Sequence, residues 1–394
     1  MNLEVYKAEI GSELSRIIDF WKSNSVDSLN GGFVGRLDSF GKVHQESEKG
    51  LVLNARILWS FSAYYNFSKD EESLILAERV YQYLNNYFLD NHNGGLYWSV
   101  EYDGKPKSTR KQIYGIAFAI YGLSEFYKAT QNNSALKWAI ELFNLIEEHS
   151  FDDEFGGYFE AFSEDWQLIE DLRLSEKDRN DPKTMNTHLH IIEAYANLFE
   201  VWKDETLKRK IIYLLEVFNS LIINSKTFHL NLFFSKNWVS QSDSISYGHD
   251  IEAAWLLQDC AIKIGEKDLI EKFSDLAIKI ADASAEGFNP DGSLNHEFSP
   301  SLNHTDSHRE WWVSAEAMVG YLNAYKITKQ EMYLLKVFDL WDFTQKHLID
   351  STNGEWFWGV YEDYSKMLNE DKIGFWKCPY HNTRACIEIL EMLK

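Results

Sequence analysis

Hydrophobic positions recur along the chain with a period near 3.6, in two alternating styles. The first is amphipathic, an apolar stripe against a charged face, over Glu4–Ser23, Glu71–Phe88, Ala135–His149, Glu205–Leu221, Leu269–Ala285 and Met332–Leu348. The second is apolar nearly all round and rich in small residues, over Gly50–Tyr65, Gln112–Tyr127, Thr187–Trp202, His249–Ile264, Trp312–Tyr325 and His381–Leu393. A helix without a polar face has to be buried on every side. Six amphipathic helices outside six buried ones predict an all-α, double-layered (α/α)6 barrel.

An internal repeat points the same way. The segments VDSLNGGF (26–33), LDNHNGGLYW (89–98), FDDEFGGYFE (151–160) and IDSTNGEWFW (349–358) resemble one another. Gly32, Gly95 and Gly157 are 63 and 62 residues apart, and Glu355 follows Gly157 by 198, three periods of 66. FHLNLFFSKNW (228–238) and GFNPDGSLNHE (287–297) read as degenerate copies. Each copy pairs turn residues with alternating aromatics, predicting a short hairpin between an outer and an inner helix. These hairpins and loops would wall a cleft at one end of the barrel. One spacing is long, and its excess falls in the charged segment 163–183, read either as a flap over the cleft or as a solvated surface loop.

The 394 residues contain no Pro/Gly/Ser-rich linker, so one domain over 1–394 is expected. A net charge of −22 repels phosphate backbones and anionic membranes, which argues against nucleic-acid and membrane partners. The three cysteines lack metal or disulfide spacing, the N-terminal stretch lacks an apolar signal core, and no apolar run approaches 18 residues. A cytoplasmic protein, monomeric or weakly dimeric, is expected. The 14 tryptophans serve the core, and their number also suits a cleft in which sugar faces stack on indoles.

Candidate chemistry lies near the starts of the buried helices, where polar residues are costly without a purpose or a partner. Arg56, Tyr114, His190, His249, Trp312 and His381 follow one another at intervals of 58, 76, 59, 63 and 69, so they should converge on the barrel axis. His190-x-x-Glu193 and His249-x-x-Glu252 place a carboxylate on the same helix face as each histidine. Either glutamate can orient its histidine, although Glu193 reads more simply as a plain helical ion pair.

Three rival readings compete with proton transfer. His188 and His190 have the look of a metal-ligand pair, but residues two apart on a helix point about 200° apart, and no zinc or di-iron motif is present. A glycosidase needs a pair of carboxylates, and Asp250, Glu252, Glu297 and Glu310 are not marked out as one. A sugar-binding protein would explain the tryptophans but not converging histidines and an arginine. Neutral imidazoles on opposite faces of a carbon, with a cation for the oxyanion, fit proton abstraction beside a carbonyl, as in an epimerase or aldose–ketose isomerase.

KTMNTHLHIIEAY (183–195), SYGHDIEAAWLL (246–257), REWWVSAE (309–316) and FWKCPYHNTR (375–384) closely resemble motifs of the cellobiose 2-epimerases, members of the N-acylglucosamine 2-epimerase superfamily of (α/α)6 barrels. The resemblance extends to KGLVLNARILW (49–59) and RKQIYGIAFAIYGL (110–123) and so covers essentially the whole chain. It implies that His249 and His381 exchange the C2 proton of a reducing-end sugar and that His190 assists ring opening. It implies that Arg56 stabilises a cis-enediolate, that Tyr114, Asn186 and Glu252 position the sugar and the histidines, and that Trp312 and Trp376 stack on sugar rings. Glu297 would be a further hydrogen-bond partner. No cofactor or metal is implied. The implied reaction is C2 epimerisation of the glucose end of cellobiose, lactose or mannobiose, with a monosaccharide 2-epimerase or mannose isomerase as the alternative within the superfamily.

Overall fold

The computed structural model describes residues 2–176 and 178–394. Twelve α-helices follow in order: α1 (Leu3–Asn24), α2 (Leu51–Ser68), α3 (Glu71–Tyr83), α4 (Ile113–Thr130), α5 (Asn133–His149), α6 (Met185–Val201), α7 (Glu205–Val217), α8 (Tyr247–Ile264), α9 (Lys267–Ser284), α10 (Trp311–Thr328), α11 (Glu331–Phe343) and α12 (Tyr380–Met392). The even-numbered helices pack around the axis, α2 on α4, α4 on α6, α6 on α8, α8 on α10, α10 on α12 and α12 back on α2. The odd-numbered ones form the outer layer, and the barrel is the expected (α/α)6 barrel. The outer helices differ from the sequence reading at their ends. α3, α7 and α11 each finish in a five-residue π turn, Leu84–Phe88, Phe218–Ile222 and Thr344–Leu348.

Local sequence explains the boundaries. Asp70, Asn132 and Asp204 cap the backbone N–H groups at the starts of α3, α5 and α7. α2, α4, α8 and α10 close on left-handed residues, Lys69, Gln131, Gly265 and Lys329. The inner helices approach closely because small residues line them: a Cβ on Gly122 of α4 would sit 2.8 Å from the Ala55 carbonyl of α2.

All six repeats form a short hairpin, bridged at Val26–Phe33, Leu89–Leu96, Phe151–Tyr158, Ile223–Leu230, Phe288–Leu294 and Ile349–Trp356, the fifth one residue shorter than the others. Two-residue ladders then tie each repeat to the next. Lys49 pairs with Val100, Lys111 with Phe162, Lys183 with Phe234, Ile245 with Phe298 and Arg309 with Val360. A bridge between Leu37 and Ile373 joins the first repeat to the last. A ring of short antiparallel contacts thus rims the end of the barrel where the inner helices begin.

Four hairpins are pinned by the same buried ion pair: Asp27–Lys49, Asp90–Lys111, Asp152–Lys183 and Asp350–Lys372. The degenerate copies replace it. His229 bonds Asp250 at 2.7 Å in the fourth, and Arg309 lies 3.7 Å from Asp291 in the fifth. Removing one partner strands a charge in the interior. Lys111→Met is therefore expected to cost about 3–5 kcal/mol of stability, measurable by urea unfolding. A loss within 1 kcal/mol would show that the pair is dispensable.

The Gly-Gly turns take left-handed backbone at Gly32, Gly95 and Gly157. Glu355 holds the same conformation in the sixth repeat, at φ 61°. Its fully buried carboxylate compensates by accepting from Trp21, Lys377 and Asn382.

Among its described residues, segment 163–183 carries no helix. Its backbone is laced to the neighbouring repeat, with Arg110 donating to the Asp171 carbonyl and Gln112 to that of Leu172. Lys177 of this segment lies outside the described residues.

Candidate active site

The six inner helices start at the rim, so their positive dipole ends converge on the residues the spacing singled out. Arg56 donates to the Tyr114 hydroxyl at 2.8 Å, and the Tyr114 ring meets His190 edge-on with centroids 5.1 Å apart. On the other arc, His249 packs on Trp312 at 4.8 Å and Trp312 on His381 at 5.8 Å. The expected convergence is therefore present. Gly248 permits the first of these contacts, since a Cβ there would lie 2.6 Å from the Trp312 ring.

Each histidine is fixed through Nδ1. His190 faces Glu193 at 2.9 Å, His381 faces Glu316 at 2.6 Å, and His249 faces the Ser246 hydroxyl at 2.8 Å. A carboxylate at Nδ1 makes that nitrogen the N–H and leaves the Nε2 lone pair for another group. Burial lowers the pKa of all three imidazoles, His249 to about 3 and His381 well below the ordinary range, so each is neutral near pH 7.

Two sequence-based assignments need correction. Glu252 does not orient His249, because its side chain accepts from Arg384 at 2.8 Å while Ser246 takes the His249 Nδ1. Glu193 is more than a helical pair, since its second oxygen also accepts from Arg384 and from the Tyr380 hydroxyl. Arg384, from α12, in addition donates to Glu316 at 2.6 Å. One buried guanidinium therefore joins three carboxylates, two of which hold histidines. Glu193 is kept ionised, its pKa held near about 2 by Arg384 and His190 against the upward push of burial. Burial raises the carboxyls of Glu252 and Glu316, and their mutual repulsion adds to it, so this pair retains a proton into the neutral range.

Arg56 contrasts with Arg384. It is buried, its guanidinium lies 4.1 Å from the centroid of Phe118 and 4.8 Å from that of Tyr380, and its Nη1 is 3.7 Å from the Cys378 sulfur. Among the described residues no carboxylate pairs with it, and its Nε has no partner. Its charge is left for something that enters the site. The Asn186 side-chain oxygen, at the start of α6, is also buried without a partner.

The walls are aromatic. Glu310 accepts from the indoles of both Trp312 and Trp358, at 2.7 and 3.1 Å, and so fixes the two rings. Trp376 is half-buried beside Tyr114 and Trp98, at 6.0 Å from each. Glu297 lies in the ladder beside Ser246, and burial raises its pKa. His296, next to it, is raised to about 9, Glu310 and Asp306 outweighing its desolvation, and so adds a cation at the rim. His188 points elsewhere: its Nδ1 bonds the Thr184 carbonyl and its Nε2 accepts from the Tyr158 N–H, which ties α6 to the third hairpin. It shares no ligand position with His190.

Among the described residues, the one group with metal-ligand spacing is Glu252, Glu316 and His381. Both carboxylates are bonded to Arg384, so the cation these acids call for is already supplied by the chain.

Fold and site define an (α/α)6 barrel with a histidine acid–base pocket, an unneutralised arginine and aromatic walls at one end. The profile of the N-acylglucosamine 2-epimerase family matches residues 31–385. A cellobiose 2-epimerase of Bacteroides fragilis is 47% identical over 388 residues, covering 98% of this chain and 99% of the relative. One from Dictyoglomus turgidum is 43% identical over the full length of both chains. The solved cellobiose 2-epimerase from Bacillus thermoamylovorans B4167 superposes with a TM-score of 0.94 at 40% identity, across 98% of this chain and 99% of that one. The chain belongs to the N-acylglucosamine 2-epimerase family.

Proposed function

We propose that the protein catalyses reversible epimerisation at C2 of the reducing-end glucose of β-1,4-linked disaccharides, converting cellobiose to glucosyl-mannose and lactose to epilactose. The observation that carries this reading is the pairing of two neutral, Nδ1-anchored histidines, His249 and His381, across Trp312 from one another, with a cationic Arg56 that has no carboxylate partner.

In this mechanism the sugar ring opens with help from His190. One of His249 and His381 takes the C2 proton through Nε2, and the electron pair passes onto the C1 oxygen to give a cis-enediolate. Arg56 and the converging helix N-termini stabilise the negative charge that develops there. The other histidine, once protonated from solvent, delivers that proton to the opposite face of C2, the first imidazolium releases its own to solvent, and the ring closes. Glu316 favours the imidazolium of His381 while proton transfer is under way. Arg384 and Glu252 hold Glu316 and Glu193 in place beneath it. Asn186 and Tyr114 would fix sugar hydroxyls, Trp312 and Trp376 would stack on the two rings, and Glu297 would accept from a hydroxyl at the rim. No step calls on a group from outside the chain.

The test is product analysis by chromatography after incubation with cellobiose, lactose and mannose separately. Glucosyl-mannose and epilactose, formed faster than any product from mannose, are expected. Free glucose from cellobiose, or conversion of mannose alone, would overturn the disaccharide reading.

A further inference from the structure

The end of the barrel opposite the histidines holds a cavity of about 350 Å³ that the proposed reaction does not use. The last turns of α2, α4, α6, α8 and α12 line it, so the negative ends of five inner helices face it. Five carboxylates and two lysines contribute to its walls. Both lysines are engaged: Lys128 pairs with Glu125 and Glu200, and Lys263 with Asp259 and Glu200. Glu388, half-buried on α12, has no cation or hydrogen-bond donor on it among the described residues, and burial beside Asp259 pushes it up to about 7.

A second observation comes from the aromatic wall. Tyr121 and Trp59 stack at 5.2 Å and both line the cavity. Tyr121 is 6% exposed, and its hydroxyl makes no hydrogen bond among the described residues. Trp59 is 4% exposed, and its indole N–H is buried with no acceptor. The unmet Tyr121 hydroxyl in a cavity of excess negative charge is a mixed demand: it calls for a cation that also carries an oxygen. A bare metal ion does not meet it. Among the described residues, the one group of three or more with ligand atoms within 4.8 Å of one another is at the other end of the barrel, so no three carboxylates here converge as a metal site.

We infer that this cavity is a second binding site, for a small primary-ammonium compound that also bears a hydroxyl group, with Glu388 taking the ammonium and the Tyr121 hydroxyl taking the oxygen. The site lies beneath Tyr380, whose ring meets Trp59 at 5.4 Å, one layer away from the Arg384 network.

The test is titration calorimetry of the full chain with 1,3-diamino-2-propanol, 1,3-diaminopropane, glycerol and Mg2+ at low salt. None of these has a carbonyl to be turned over. Saturable 1:1 binding of the amino alcohol is expected, weaker binding of the plain diamine, and none of glycerol. Glu388→Gln should weaken amine binding about tenfold or more while leaving cellobiose turnover unchanged. Tyr121→Phe, which keeps the ring and removes the hydroxyl, should erase the preference for the hydroxylated amine. The inference is overturned if no amine binds saturably, if Glu388→Gln binds as well as the parent, or if Mg2+ at equal concentration displaces the amine. Saturating cellobiose should leave amine binding unaltered; competition would place the amine in the histidine site and also overturn it.

Discussion

Replacing His381 by Ala is expected to lower turnover of cellobiose by about 10²–10⁴-fold, and His249→Ala by a comparable factor, with sugar affinity largely retained. Both side chains sit at the mouth of the barrel with Nδ1 bonded to the protein, so what each loses is proton transfer rather than packing. Binding would rest on the aromatic walls and Arg56, which these substitutions leave in place. Glu316→Gln separates orientation from charge. It preserves a hydrogen-bond partner for His381 but removes the negative charge that favours the imidazolium, so kcat should fall while KM changes little. The acid limb of kcat/KM should lie below the ordinary imidazole pKa of about 6.5. The sign follows from burial: lowered pKa values keep His190, His249 and His381 neutral to lower pH, so activity persists into mildly acidic solution and fails only as they protonate. Steady-state kinetics across pH 4–8 decide this. Near-parental turnover in either Ala variant would remove that histidine from the proton-transfer pair.

Arg384→Met should have a large effect on stability. The guanidinium is fully buried and is the shared cation of Glu193, Glu252 and Glu316, all buried themselves. Without it at least one carboxylate faces the interior uncompensated, at a cost of about 3–5 kcal/mol. The loss should also depend on pH. Removing the cation raises Glu193 above the unfolded value of about 4.3 and pushes Glu252 and Glu316, already raised by burial, higher still. Over the interval between those values the folded state binds more protons than the unfolded one, so stability falls as pH rises. Below the unfolded pKa the variant's acids are neutral in both states, so its deficit narrows, while Glu193 of the parent stays ionised down to about pH 2 and keeps part of the gap open. Urea unfolding at pH 4 and pH 8 measures this directly. An equal loss at both pH values would mean that Arg384 contributes packing rather than charge.

The fold was legible because burial of six helices on all sides leaves a periodic trace that local pattern reveals. The ring of Arg56, Tyr114, His190, His249, Trp312 and His381 was legible for the same reason, since equivalent positions in successive repeats face the axis. Contacts between helices were not. Glu316 and Arg384 come from α10 and α12, and nothing within either helix shows that they meet Glu193 and Glu252 from α6 and α8. Spacing of i and i+3 put Glu252 under His249, yet a buried guanidinium attracts a carboxylate more strongly than a neutral imidazole does. Ser246, immediately before α8, was free to take the histidine instead. The fourth and fifth hairpins looked degenerate because their pinning pairs use His229–Asp250 and Arg309–Asp291 in place of Lys–Asp and because a single left-handed residue, Phe228 or Gly292, replaces the pair found in the others. The π turns that end α3, α7 and α11 left no mark in the apolar period.

The central claim is that a proton leaves and returns at C2 through side chains that exchange with solvent. Incubation with cellobiose in D2O, followed by NMR of the C2 proton, tests it most directly. The account predicts deuterium at C2 of both the glucosyl-mannose product and recovered cellobiose, with deuterated glucosyl-mannose formed about 10²–10⁴-fold more slowly by the His381→Ala variant. Epimerised product that keeps its original hydrogen at C2 under dilute enzyme and long incubation would contradict it.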